Sequence, residues 1–137
     1  MHETLIENKE IMSNFGIIPI DTNFIRSKYN ASHLISHDGK AAFVDVGTSN
    51  NISLLEDALT NNNLDKGDVE FVFLTHVHLD HAGGAGKLMQ KLPNAKLVVH
   101  PYGAEHMIDP SKLIASSERV YGKNLFNQLF GDVLPVE

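Results

Sequence analysis

His76-Val77-His78-Leu79-Asp80-His81 is the stretch that decides the fold, because it places four potential metal ligands within six residues. It comes directly after residues 69–74, a nearly continuous apolar run typical of a β-strand that is covered on both faces. On an extended segment, residues two apart point to the same side, so His76 and His78 can bring two imidazoles to one cation. The stretch therefore predicts a metal site at the carboxyl end of a central strand.

The second half of the motif adds a carboxylate and an imidazole at a turn. Asp80 and His81 lie where the chain must turn, and the small residues 82–86 allow a closely packed helix to begin. Both side chains are thereby directed toward a neighbouring point, which predicts a dinuclear centre. A helix N-cap is the alternative role for Asp80. Three imidazoles and a carboxylate this close would otherwise repel one another or stay unsatisfied, which favours metal binding.

Length and composition limit the remaining possibilities. The chain has 137 residues, 42% of them hydrophobic, which is enough for one domain with a real core. Its formal net charge of -6 and its scattered lysines argue against direct binding to nucleic acid. The absence of cysteine removes thiolate ligands and leaves His and Asp for metal chemistry. Residues 1–15 are charged and lack a continuous apolar core, so we expect no secretory signal, no membrane span and a cytoplasmic protein.

The predicted elements are strands first, then strands alternating with helices. Asp38-Gly39 is a strong hairpin signal between the second and third strands, since both residues take positive φ at low cost. The order implies an α/β layer structure. Strands are predicted at residues 16–20, 31–36, 41–46, 69–74 and 96–100, and helices at 53–60, 82–92 and most of the chain after 101, with breaks at Asp109-Pro110 and Gly122.

The motif and the preceding hairpin together resemble a known family. The two segments that carry the likeness are Thr75-His76-Val77-His78-Leu79-Asp80-His81-Ala82-Gly83-Gly84 and Phe43-Val44-Asp45-Val46-Gly47-Thr48. Both are similar to the metallo-β-lactamase fold superfamily, where a strand with an Asp-x-Gly turn precedes the motif. The resemblance implies half of an αββα sandwich, with a mixed sheet and helices on one face. It covers only the amino-terminal part of the family's domain, so we expect residues 1–137 to form a single truncated domain.

The resemblance also implies a set of metal ligands. His76 and His78 would bind the first metal, and Asp80 and His81 the second. The family completes both shells with a third His, a bridging Asp and a last His, which we expect beyond this chain. One or two zinc ions are the implied cofactor, with iron or manganese as alternatives. With several ligands missing, the fragment is expected to be inactive alone.

Two residues near the motif are expected to support the ligands. Asp45 would accept a hydrogen bond from a ligating imidazole or from the backbone of the motif, although a simple turn carboxylate before Gly47 is the alternative. Thr75 would help to orient the loop, although a Thr at a strand end is commonly structural. Asp80 is expected to be catalytic as well as a ligand, because its carboxylate can orient the attacking water or accept its proton.

A half sandwich also has consequences for partners. The sheet face that should pack against the second half would be apolar and exposed, which favours self-association or pairing with the missing carboxyl-terminal half. Neither a membrane nor a nucleic acid is an expected partner. The expected substrate is a small molecule.

The main functional hypothesis is a zinc-dependent hydrolase. A bound cation lowers the pKa of water toward about 7, and the resulting hydroxide can attack an ester, thioester, lactone, lactam or phosphodiester bond. The sequence does not choose among these bonds. A diiron protein that handles oxygen or nitric oxide is the second hypothesis, but such relatives generally carry Glu where this chain has His78, which favours zinc. The third is a catalytically dead binding or assembly fragment.

Overall fold

The computed structural model describes residues 15–137 as five strands and six α-helices. Short 3-10 turns at Ser49–Asn51 and Lys66–Asp68 precede α1 and β4. None of the helices in this part of the chain is long and apolar enough to cross a membrane. The elements are β1 (Phe15–Asp21), β2 (Ala31–His37), β3 (Lys40–Val44), α1 (Ile52–Asn61), β4 (Val69–Phe73), α2 (Leu79–Ala82), α3 (Ala85–Lys91), β5 (Lys96–Val98), α4 (Pro101–Ile108), α5 (Ser111–Tyr121) and α6 (Lys123–Phe130).

The strands form one mixed sheet in the order β1-β2-β3-β4-β5. β1, β2 and β3 are antiparallel neighbours, whereas β3, β4 and β5 run parallel. The predicted hairpin between β2 and β3 is confirmed, with positive φ at Asp38 (49°) and Gly39 (77°). Val44 pairs with Phe73, so β3 and β4 end side by side at one edge of the sheet. The loops that follow these two strands are therefore neighbours.

The helices cover one face of this sheet. Leu34, Phe43 and Val72 are fully buried and share one core cluster with Leu55 of α1 and Leu88 of α3. The predicted α/β fold, with a mixed sheet and helices on one face, is confirmed. Large apolar side chains on the opposite face are exposed, and they include Ile17, Phe71, Phe73 and Val98.

A second, smaller apolar cluster packs the motif against α6 and the loop after β1. Leu79 lies between His78 and Asp80 in the sequence and is buried. Burial of this side chain stabilises the first turn of α2, which carries two of the predicted ligands. Leu79 shares the cluster with one residue of the loop after β1 and two residues of α6, namely Phe24, Phe126 and Phe130.

The predicted end of the third strand is wrong by two residues. Sequence reasoning extended it over residues 41–46, but β3 ends at Val44. Asp45 takes a φ of +60°, a left-handed conformation that turns the chain out of the sheet. This turn brings Asp45 over the edge where the motif begins.

The helix predicted over residues 82–92 is divided in the structure. α2 already begins at Leu79, and Gly83 and Gly84 separate it from α3. The reason is a close backbone approach, because a Cβ on Gly84 would lie 2.6 Å from the carbonyl oxygen of Thr48. The Gly84 N–H also donates to the Gly47 carbonyl at 2.9 Å. The glycines therefore join the motif helix to the loop after β3.

The burial pattern predicts which aromatic residues stabilise the fold. Phe43→Ala should lower the free energy of unfolding by about 3–5 kcal/mol, since it removes a fully buried ring from the core. Tyr102→Ala is the matched control, because Tyr102 is 82% exposed and its loss should cost less than about 0.5 kcal/mol. Urea denaturation of the two variants measures the difference. Equal losses would contradict the assignment of Phe43 to the core.

Candidate metal centre

The four predicted ligands lie on the loop between β4 and α2 and on the first turn of α2. His76 and His78 belong to the loop, whereas Asp80 and His81 belong to the helix. The ring centroid of His76 is 5.0 Å from that of His78 and 4.4 Å from that of His81. The fold thus brings three imidazoles together, as a shared cation would require.

Asp45 completes a compact group with two of these imidazoles. One potential ligand atom from each of Asp45, His76 and His81 lies within 4.8 Å of the others. Asp45 is buried and the other two are not, so the group has a closed side and an open side. Among the described residues it is the one set of His and acidic side chains that meets this spacing. His78 and Asp80 lie outside the set, next to His76 and His81 respectively.

The imidazole of His81 lies between two carboxylates. Its Nδ1 is 3.5 Å from Oδ2 of Asp45, and its Nε2 is 3.4 Å from Oδ2 of Asp80. Nδ1 is buried and has no hydrogen-bond partner in the described part of the chain, since 3.5 Å to Asp45 does not satisfy hydrogen-bond geometry. A buried ring nitrogen without a partner is costly, and a cation between it and the carboxylate would satisfy both. The residues present therefore fit a metal ion.

Thr75 connects Asp45 to His76. The Thr75 backbone N–H donates to Oδ1 of Asp45 at 2.9 Å, and the Thr75 hydroxyl lies 3.0 and 2.8 Å from its two carboxylate oxygens. The same hydroxyl lies 2.9 Å from Nδ1 of His76. A carboxylate only accepts hydrogen bonds, so the hydroxyl donates to Asp45 and can accept from an Nδ1–H. That tautomer leaves the lone pair on Nε2 of His76 for a cation.

Backbone hydrogen bonds hold the loop after β3 against α2. The N–H groups of Val46 and Gly47 both donate to the carbonyl oxygen of His81, at 2.8 and 2.9 Å. Ser32 is fully buried, and its hydroxyl donates to the carbonyl oxygen of Asp45 at 2.7 Å. These bonds fix the backbone at two members of the candidate site, and they offset the cost of the positive φ at Asp45.

Asn30 contacts the motif from a distant part of the sequence. Its side-chain amide donates to both the backbone carbonyl and the Oδ2 of Asp80, at 3.2 Å each. Sequence reasoning missed Asn30, as it missed Ser32. Nothing in the local sequence could indicate either contact, because each depends on how separate strands meet.

Comparisons with known proteins agree with this architecture. The family model described as "Metallo-beta-lactamase superfamily" matches residues 28–135. Hydroxyacylglutathione hydrolase 1 of Vibrio vulnificus (strain YJ016) is 40% identical over 91 residues, which are 66% of this chain and 32% of that protein. The chain thus spans about a third of the length of this curated relative.

Solved structures share the fold at low sequence identity. A HARLDQ-motif mutant of a metallo-beta-lactamase from Cronobacter sakazakii superposes with a TM-score of 0.61 and 20% identity, covering 88% of this chain and 42% of that one. The metallo-beta-lactamase MIM-1 from Novosphingobium pentaromativorans superposes with a TM-score of 0.55 and 21% identity, and the match covers 67% of this chain and 34% of that one. The family match over most of the chain, the mixed sheet and the His/Asp group together establish that the chain belongs to the metallo-beta-lactamase superfamily.

Proposed function

We propose that the protein is a zinc-dependent hydrolase whose centre is built on His76, His78, Asp80 and His81. The observation that supports it most directly is the buried Nδ1 of His81, which faces the Asp45 carboxylate without a hydrogen bond. Imidazole nitrogens and a carboxylate are the donors that zinc accepts in catalytic sites. Iron and manganese are the alternatives; three imidazoles favour zinc over manganese, and His78 in place of a Glu favours it over iron.

The motif supports two cation positions, one at His76 and His78 and one at Asp80 and His81, because a neutral imidazole has one free lone pair and binds one ion. Asp45 lies on the Nδ1 side of the His81 ring, whereas Asp80 lies on its Nε2 side. His78 stands edge-on to His76 at 83° between ring planes. When bound, zinc would supply Lewis-acid polarisation of the scissile carbonyl and would acidify water.

The side chains of this chain would then position and deprotonate the nucleophile. Asp80 is partly exposed, so one carboxylate oxygen can reach a water molecule and accept its proton. The side-chain amide of Asn30 donates to Oδ2 of Asp80 and fixes the orientation of that carboxylate. The Thr75 hydroxyl favours the Nδ1–H tautomer of His76, and the Asp45 carboxylate orients that hydroxyl.

A thioester is the bond we propose for cleavage. Hydroxyacylglutathione is an S-acyl compound, and the relative named for its hydrolysis is 40% identical over 91 residues. Because the chain spans about a third of that relative, this substrate class is a proposal for the whole protein. Esters, lactones, lactams and phosphodiesters stay open to the same chemistry.

Metal content and turnover test the proposed function together. The purified whole protein should contain zinc by elemental analysis and should hydrolyse an acyl thioester. His81→Ala should lose most of the zinc and the activity, because it removes the ring between the two carboxylates. His106→Ala, on α4 and outside the cluster, should retain both. Thioester hydrolysis by His81→Ala at the wild-type rate would refute the proposal.

Thr75→Val tests the hydrogen bonds behind the ligands. It replaces the hydroxyl that contacts Asp45 and His76 with a methyl group of similar size. Zinc affinity should fall by about 10- to 100-fold, the range typical of lost hydrogen bonds to ligands. Thr75→Ser keeps the hydroxyl and should bind zinc almost as tightly as the wild type. Competition with a chromogenic chelator measures both affinities, and equal affinities for the Val and Ser variants would contradict this role.

Asn30→Ala tests the support of Asp80. Loss of a hydrogen bond to a charged group costs about 1.5–3 kcal/mol, so kcat should fall by about 10- to 100-fold. Zinc affinity should fall as well, because Asp80 is a proposed ligand and Asn30 donates to its carboxylate. Asn94→Ala is the control, since the side-chain amide of Asn94 donates to the carbonyl oxygen of Gly67, away from the motif. A wild-type kcat for Asn30→Ala would show that Asp80 needs no support.

A further inference from the structure

A cleft opens beside the predicted ligands His78 and Asp80. It has a volume of about 490 Å³ and lies between the loop after β1 and the helices α5 and α6. His78 and Asp80 form one end of it, so a group bound here would adjoin the candidate centre. The proposed function leaves this space without a role.

Aromatic rings form one wall of the cleft. Phe130 is the middle of this wall, with its ring centroid 5.5 Å from that of Phe24 and 5.8 Å from that of Tyr121. Tyr29 continues the wall, 6.3 Å from Phe24. Phe24 and Phe130 are buried and belong to the small apolar cluster around Leu79. The wall is therefore a fixed part of the fold.

A second part of the lining is one stripe of α5. Leu113, Ser117 and Val120 recur at helical spacing and line the cleft, together with Ser116. No residue of α5 is fully buried, and Val120 is 76% exposed. Leu113 packs partly against the core clusters, whereas Val120 is left exposed in the cleft. Exposed apolar side chains that converge on one cleft indicate a binding surface.

The loop after β1 places Ile25 in the lining of the same cleft, and the backbone of Ile25 is strained. Ile25 is 60% exposed and has a φ of +66°, which is unusual for a β-branched residue. Asp21 holds the loop, because its carboxylate accepts from the N–H groups of Asn23 and Lys28 at 2.9 and 2.7 Å. These two hydrogen bonds also lower the pKa of Asp21. Strain maintained at an exposed apolar residue beside a candidate site is typical of a ligand contact.

The charge of the lining restricts what can bind. Neither Lys nor Arg lines the cleft, and Asp80 is its one carboxylate. Arg26 belongs to the same loop but stacks its guanidinium on Tyr29, 5.2 Å from the ring centroid, and is not part of the lining. Away from the end where zinc would bind, an anionic group would find no cation within the described lining. An uncharged apolar group would bury its surface against both parts of the lining.

We infer that this cleft binds the acyl chain of the substrate, and that the preferred acyl group is uncharged and apolar, of medium length. The inference rests on the proposed thioester hydrolase activity for the acyl assignment. Val120 and Ile25 are then residues that determine specificity, because both are exposed in the cleft.

Acyl selectivity of the whole protein tests this inference. With N-acetylcysteamine thioesters, the octanoyl compound should exceed the acetyl compound in kcat/KM by about 10-fold or more, and the succinyl compound should fall below both. Val120→Asp should reduce the octanoyl-to-acetyl ratio about 10-fold, because it places a second carboxylate in the lining. Leu125→Asp, which is exposed on α6 outside the lining, should leave the ratio unchanged. Preference for succinyl, or a ratio unaffected by Val120→Asp, would overturn the inference.

A binding measurement separates this inference from the proposed hydrolase. 2-Nonanone and levulinate are ketone analogues of the octanoyl and succinyl substrates, and neither can be hydrolysed. 2-Nonanone should shift the amide NMR signals of Ser117 and Val120 in the wild type but much less in Val120→Asp, even if no thioester is turned over. Levulinate should shift them weakly. Equal shifts by both ketones, or none by 2-nonanone, would refute the cleft assignment whatever the activity.

Discussion

The hydrogen bonds between Asp45 and Thr75 join the two strand ends on which the site depends. β3 and β4 are parallel neighbours, and these residues come just after the last paired positions of each strand. The Asp45 carboxylate accepts from both the backbone and the hydroxyl of Thr75, so it fixes the start of the loop that carries His76. A buried carboxylate needs such partners. The same contact that satisfies Asp45 therefore also aligns the first imidazole.

The partners of the Asp45 carboxylate explain why Asp45, His76 and His81 together fit a cation. Thr75 satisfies the carboxylate on the side of β4, whereas His81 approaches it from α2 without a hydrogen bond. The fold thus holds a negative group and two imidazoles at fixed positions before any ion binds, since backbone bonds from Val46 and Gly47 anchor His81. Preorganisation of this kind reduces the ordering cost of metal binding. It also leaves one buried nitrogen unsatisfied, which a bound cation would satisfy.

The sequence predicted those features that short segments determine. Asp38-Gly39 specified a hairpin, Gly122 and Asp109-Pro110 ended helices, and the spacing of His and Asp from His76 to His81 identified the family. It predicted Asp45 as a hydrogen-bond acceptor beside the motif, but not as a potential ligand grouped with His76 and His81, because this requires a positive φ that Asp adopts only in some contexts. The contact of Asn30 with Asp80 spans 50 residues, and no local pattern encodes it. Long-range polar contacts of this type depend on the packed fold.

Leu79 connects the candidate centre to the cleft. Its side chain packs against Phe24, Phe126 and Phe130, while its neighbours in the sequence are two predicted ligands. Because α2 has only four residues, its orientation depends on this packing more than on its own hydrogen bonds. The aromatic wall that we assign to acyl binding is therefore also the support that aims His78 and Asp80. A substrate that contacts this wall would contact the same cluster that orients His78 and Asp80. Acyl selectivity and the geometry of the centre therefore depend on the same residues.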